Sequence, residues 1–83
     1  MIIIKVLGSG CANCKRVAQI AHQVITDMNI EAQVIKVTDY ADMMVYNVMS
    51  TPGVVINEKV VSTGRIPTPA EMTTWLTNAL ETA

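Results

Sequence analysis

Cys11 and Cys14 are the only cysteines among the 83 residues, and just Ala12 and Asn13 separate them. Two thiols three positions apart on a helix lie on one face, within reach of each other. Such a pair can pass between dithiol and disulfide, because a thiolate that attacks a foreign disulfide leaves a mixed disulfide for the second thiol to resolve. The surroundings assign the roles. Val17, Ala18, Ala21, Val24, Ile25 and Met28 recur at helical spacing, so a helix begins close to Cys11. Its first turn offers unpaired N–H groups and the positive end of the helix dipole, which favour a thiolate over a thiol. Cys11 is therefore expected to be the nucleophile, with a pKa below that of a free thiol and with Lys15 and Arg16 adding positive charge nearby. Cys14, one turn deeper, is expected to be the resolving thiol.

The flanking segments supply a scaffold. Met1 to Leu7 is an apolar, β-branched run of strand type. Asn29 stands at a left-handed helix stop, and Glu31 to Val37 alternates as a second strand. Thr38 or Asp39 caps a short helix running to about Tyr46, with Ala41, Met44 and Val45 as its expected apolar face and Asn47 as its exit. Val48 to Gly53 reads as a loop containing Pro52. Gly53 to Ile56 and Lys59 to Thr63 then form a hairpin around Asn57-Glu58. Thr68, Pro69 and Glu71 carry the signals of a final helix start, ahead of a stripe of Met72, Trp75, Leu76, Ala79 and Leu80. The order is βαβαββα, a four-stranded mixed sheet flanked by helices, and residues 1–83 are read as one α/β domain.

Composition narrows the function. A net charge of −1 with scattered Lys and Arg gives no footprint for nucleic acid or anionic lipid. The first apolar run is too short for a signal-peptide core, and no stretch has the length of a membrane span. The expectation is a cytoplasmic monomer, a setting in which C-x-x-C is catalytic or metal-binding rather than structural. Half the residues are hydrophobic, with no Phe and a single tryptophan, Trp75, so Met28, Met43, Met44, Met49 and Met72 are expected to fill gaps in an aliphatic core.

A C-x-x-C opening a helix after the first strand, a Thr-Pro ahead of an antiparallel hairpin and a closing helix together resemble the thioredoxin-like superfamily. Within it the chain looks most like the small, glutaredoxin-sized redox-active disulfide proteins of bacteria and archaea. Gly10-Cys11-Ala12-Asn13-Cys14 and Pro52-Gly53 are the matching landmarks. The resemblance implies a disulfide oxidoreductase with a redox-active Cys11–Cys14 disulfide, no other cofactor and no metal. It implies a cis Pro52, a backbone at Thr51 that pairs with bound substrate, and Gly10, Ala12 and Asn13 at the same docking edge. The implied partners are a disulfide-bearing protein and an external reductant of the thioredoxin-reductase type or another dithiol. Several positions depart from the pattern. The pair between the cysteines lacks proline, and Gly64-Arg65-Ile66 replaces the glutaredoxin Gly-Gly-acid. Lys5 stands where larger thioredoxins bury an acid.

Gly8 to Cys14 also resembles the Gly-Met-x-Cys-x-x-Cys loop of copper-carrier domains. The alternative is thus a carrier of Cu(I), arsenite or Zn through the same thiols. Ser9 in place of Met, and the closing helix, count against it. Lys5 shares a strand face with Ile3 and Leu7. It either lies desolvated and favours the Cys14 thiolate, or snorkels to water and senses nothing. Arg65 is a further candidate to reach the active-site edge, against the reading of an ordinary solvated arginine. His22, about 16 Å along the helix from Cys11, is a surface residue. Tyr40 and Tyr46 are expected to pack with wet hydroxyls.

Overall fold

The computed structural model describes residues 2–8, 12–48 and 50–82. The strands are β1 (Ile2–Leu7), β2 (Ala32–Val37), β3 (Gly53–Ile56) and β4 (Lys59–Thr63). The helices are α1 (Ala12–Met28), α2 (Tyr40–Val45) and α3 (Pro69–Thr82). They follow the βαβαββα order, and the strands form one sheet in the order β2-β1-β3-β4. β1 and β2 run parallel from Ile2 opposite Ala32 to Leu7 opposite Val37. β1 pairs antiparallel with β3, and β3 with β4. β1 is a central strand, and it delivers the chain to the start of α1.

Alternation along β1 splits the core in two. Ile2, Ile4 and Val6 face α1 and α3, where they pack with Cys14, Val17, Ala18, Ala21, Val24, Met72 and Leu76. Leu7 lies on the other face with Val55, Met43 and Val48. Turn chemistry sets the register. Asn57 and Glu58 both have positive φ, 49° and 69°, which gives the hairpin the twist its strands require. The Asn57 N–H donates to the Ile3 carbonyl at 2.9 Å, and the Ile3 N–H donates to Asn57 Oδ1 at 3.1 Å, so the turn is tied to β1.

Three expectations about packing need correction. Met43, and not Ala41, Met44 and Val45, is the inward residue of α2; Met44 is exposed and Val45 is 78% exposed. A six-residue helix has under two turns, so its apolar pattern leaves the phase open. The phase is set by Asp39, whose Oδ1 accepts the Ala41 N–H at 2.9 Å. Tyr40, at the start of that helix, is 69% exposed, whereas Tyr46 is half-buried. In α3, Met72, Leu76 and Ala79 are buried, Trp75 is half-buried and Leu80 is exposed. At 100° per residue Leu80 lies about 80° around the helix from Met72, off the stripe that meets the sheet. Of the methionines, Met43 and Met72 fill core positions, Met28 is half-buried, and Met49 lies outside the described residues.

The start of α3 is fixed by paired contacts. Glu71 N–H donates to Thr68 Oγ1 at 3.1 Å, and Thr68 N–H donates to Glu71 Oε1 at 3.1 Å. Arg65 holds both oxygens of the same carboxylate, at 2.8 and 2.6 Å. Arg65 first, and then the Thr68 N–H, lower the Glu71 pKa from an ordinary 4.5 to about 2. A depressed carboxyl pKa contributes stability above the unfolded value, and that contribution is lost as pH falls through the folded value. Wild type should therefore melt above Glu71→Gln at neutral pH, with the gap closing between pH 4.5 and 2. A gap that stays constant across that window would show that the charge is not what the capping carboxylate contributes. Ser62, in β4, is buried with no hydrogen-bond partner for Oγ among the described residues. A buried hydroxyl without a partner carries a desolvation cost, so Ser62→Ala should be neutral or up to about 1 kcal/mol more stable in urea unfolding. A loss of more than that would mean the hydroxyl is satisfied.

Candidate active site

β1 ends at Leu7, and Gly8 N–H continues the parallel ladder by donating to the Val37 carbonyl at 2.9 Å. At Gly8, φ is 155°, and a Cβ built there would overlap the Cys14 sulfur and lie 3.5 Å from Thr51 Cβ. The first turn of α1, the end of β1 and the loop before β3 thus converge on one point. Cys14 is half of a disulfide and is 6% exposed, within the core formed by Ile2, Ile4, Val6 and Val17. Its position follows from the helical stripe, since Cys14, Val17, Ala18 and Ala21 all face the sheet. Ala12 and Asn13 are exposed at the helix start. Cys11 and Gly10 lie outside the described residues.

The loop opposite is fixed from several sides. The Thr51–Pro52 peptide bond is cis, Thr51 is exposed and Pro52 is buried. Gly64 N–H donates to the Pro52 carbonyl at 3.0 Å. Gly64 has φ 73°, and a Cβ on it would come within 3.1 Å of Ser50 Cβ, so the residue after β4 is a glycine for both backbone and spatial reasons. Among the described residues no backbone hydrogen bond involves Thr51. Thr51 is exposed, and its Cβ borders the same Gly8 side-chain position that the Cys14 sulfur fills.

Of the three candidate tuning residues, Lys15 follows Cys14 in the first turn of α1, while Lys5 and Arg65 are engaged elsewhere. Lys5 lies on the sheet face of Leu7 and Val55, opposite the face that holds Cys14. Its Nζ donates to Tyr46 Oη at 2.6 Å and Glu58 Oε1 at 2.8 Å, and Tyr46 Oη donates to Glu58 Oε2 at 2.7 Å. The Glu58 carboxylate and then the Tyr46 hydroxyl raise the Lys5 pKa, and Lys5 in turn lowers that of Glu58. Lys5 thus neither sits in the cysteine pocket nor snorkels alone to water; it closes a ring that ties β1 to the end of α2 and to the hairpin. Arg65 is committed to Glu71 rather than to the cysteine region. Lys15 is exposed and forms no ion pair among the described residues. His22 is exposed on α1. Among the described residues no three His, Cys, Asp or Glu side chains gather at metal-binding distance.

Three features escape a sequence reading. Gly8 looks like an ordinary turn residue until the Cys14 sulfur is found in its side-chain position. The Gly64–Pro52 bond joins residues twelve apart through loop geometry. The Lys5 ring had a signal, since a lysine facing inward in an apolar strand requires acceptors, but the strand does not name them.

The sequence matches the thioredoxin domain family over residues 2–77. It is 31% identical over 81 residues to a thioredoxin of Methanocaldococcus jannaschii, an alignment covering 98% of this chain and 93% of the relative. It is 24% identical over 72 residues to a thioredoxin of Methanothermobacter thermautotrophicus, covering 87% and 94%. Among solved structures, the fold is similar to a malarial protein at a TM-score of 0.72 and 11% identity, covering 96% of this chain and 98% of the other. It is equally similar, at a TM-score of 0.72, to thioredoxin-2 of the malaria parasite, with 10% identity and coverage of 94% and 82%. At such identities the two structures speak for the fold alone.

The occupied side-chain position at Gly8 makes a measurable demand. Gly8→Ala should force the Cys14 sulfur or the β1 backbone to shift and should destabilise the oxidised protein by about 1–3 kcal/mol, the usual range for overpacking. Urea unfolding of both proteins checks it, and an unchanged midpoint would mean that the sulfur is not seated against Gly8.

Proposed function

The chain belongs to the thioredoxin domain family, and from that premise we propose that it is a thiol–disulfide oxidoreductase whose working pair is Cys11 and Cys14. The observation that carries this reading is the Cys14 disulfide, its sulfur buried against Gly8 and beside exposed Thr51. Cys11 is the only other cysteine in the sequence.

In the proposed cycle an extended client segment pairs with the open backbone at Thr51, with Gly10, Ala12, Asn13 and Pro52 completing the docking edge. The Cys11 thiolate attacks one client sulfur. A Cys11–client bond forms, the client disulfide breaks, and the departing client thiolate takes a proton from solvent. Cys14, as thiolate, then attacks the Cys11 sulfur and expels the second client thiolate. The client has gained two electrons, and the protein holds a Cys11–Cys14 disulfide. An external dithiol, of the thioredoxin-reductase type or a small molecule, returns it to the reduced state. The reading calls for no cofactor beyond the cysteine pair, and for a disulfide-bearing protein client met as a monomer in the cytoplasm.

Burial of Cys14 supports the division of labour. A sulfur packed among Ile4, Val6 and Val17 is shielded from a bulky client, yet it is only three positions along the chain from the first cysteine. Lys5 and Arg65 are paired with Glu58 and Glu71, so this reading assigns neither of them a tuning role. What remains to favour a thiolate at Cys11 is the start of α1, with the nearby charge of Lys15.

Reduction of insulin disulfides, with dithiothreitol as recycling reductant, tests the proposal. Cys11→Ser should fall to the dithiothreitol background. Cys14→Ser should accumulate a mixed disulfide with insulin, visible by mass spectrometry. Brief iodoacetamide treatment of the reduced protein should label Cys11 ahead of Cys14. Full activity in Cys11→Ser, or faster labelling of Cys14, would overturn the assignment of roles.

A further inference from the structure

We propose that the pocket between the β3–β4 hairpin and α3 binds small monocarboxylates with an apolar body. The pocket has a volume of ≈ 360 Å³, within the range of small-molecule sites. Ile56, Val61, Trp75 and Ala79 supply apolar walls. Asn57 and Lys59 stand at the hairpin end, and no lining residue is acidic.

The sign of the ligand charge follows from how the hairpin spends its polar groups. Asn57 Oδ1 already accepts the Ile3 N–H, so the remaining polar end of that side chain is its NH2 group, a donor only. Lys59 pairs across the ladder with Ile56, whose side chain belongs to the core under α3, and so Lys59 rises from the same face. Its neighbour Glu58 does not neutralise it. Glu58 is drawn to the opposite face, where both carboxylate oxygens serve Lys5 and Tyr46. Lys59 takes part in no ion pair among the described residues. Two donors and no anion at one end of an apolar pocket match a carboxylate head on a hydrocarbon body. A neutral amide of the same shape offers one acceptor oxygen without the charge that complements Lys59, and a cation meets Lys59.

The site lies at the hairpin end of β3, while Thr51 and Pro52 precede the other end of that strand. It is therefore separate from the proposed thiol chemistry and stands or falls without it.

Trp75, the only tryptophan, makes the pocket its own reporter. Cyclohexanecarboxylate and its neutral analogue cyclohexanecarboxamide should be titrated into the oxidised protein, with Trp75 emission and the Asn57 side-chain amide signals in NMR as readouts. The carboxylate should give saturable, parallel changes in both, against a chloride control of equal ionic strength, and should bind more tightly than the amide. Lys59→Met should weaken the carboxylate by up to about fivefold, the scale of an exposed ion pair, and weaken the amide by less. Equal affinity for acid and amide, changes reproduced by chloride, or an unaltered carboxylate affinity in Lys59→Met would overturn the proposal.

Discussion

A sulfur atom and a side chain cannot share one volume, and much of this small fold is arranged around that exclusion at the end of β1. The Cys14 sulfur takes the place that a Cβ would occupy on Gly8, and Thr51 borders the same spot. This close approach fixes how far α1 sits over the sheet. It requires the chain to leave β1 through a residue without a side chain, and it brings the loop ahead of β3 against the helix start. Interiors at crystalline packing density leave little slack for a larger group at such a junction. The remaining contacts hold that junction in register: Gly8 to Val37 on one side, and Gly64 to Pro52 on the other.

The two faces of the sheet do different work. Under α1 and α3 lies a continuous aliphatic core in which Cys14 is treated as one more small apolar residue. The other face is thinly covered by a six-residue helix, and there polarity substitutes for hydrocarbon. Lys5, Tyr46 and Glu58 join three segments through a closed ring of hydrogen bonds, in which every partner is charged or bonded to a charge. Cys14 is thereby left in apolar company, and the charges that a linear reading places near it are spent in joining the scaffold together.

Much of this was legible in the sequence, for reasons that can be stated. Elements announced by backbone chemistry were readable: Asn29, Asn47 and Asn57 mark left-handed positions, and Thr68, Pro69 and Glu71 form a reciprocal cap. The long stripe of α1 also fixes its own phase, with Val17, Ala18, Ala21 and Val24 buried as their spacing requires. The failures occurred where local pattern carries too little information. α2 is too short for its period to decide between Met43 and Met44, and Leu80 looks buried until the limits of the sheet are known. Lys5 is a candidate through its strand face and its match to the buried-acid position of larger thioredoxins, and Arg65 through its place beside Gly64 at the end of the last strand. Their partners, Glu58 and Tyr46 for one and Glu71 for the other, could not be identified by spacing alone.

The register shift in the last strand has a consequence for the protein in a crowded solution. Between Val54 and Val55 the ladder to β4 slips by one residue, leaving Val61 without an opposite number on β3. A slip of this kind coils the strand and breaks the even spacing of its outward N–H and C=O groups. An edge with Val60 and Val61 in a straight row would be a template on which a second molecule could add a strand and begin a fibril. Here an incoming chain would meet an interrupted hydrogen-bonding pattern, bounded by Lys59 at one end and Gly64 at the other. The irregularity thus makes the β4 edge of a chain rich in valine and isoleucine a poorer template for strand addition than a straight edge would be.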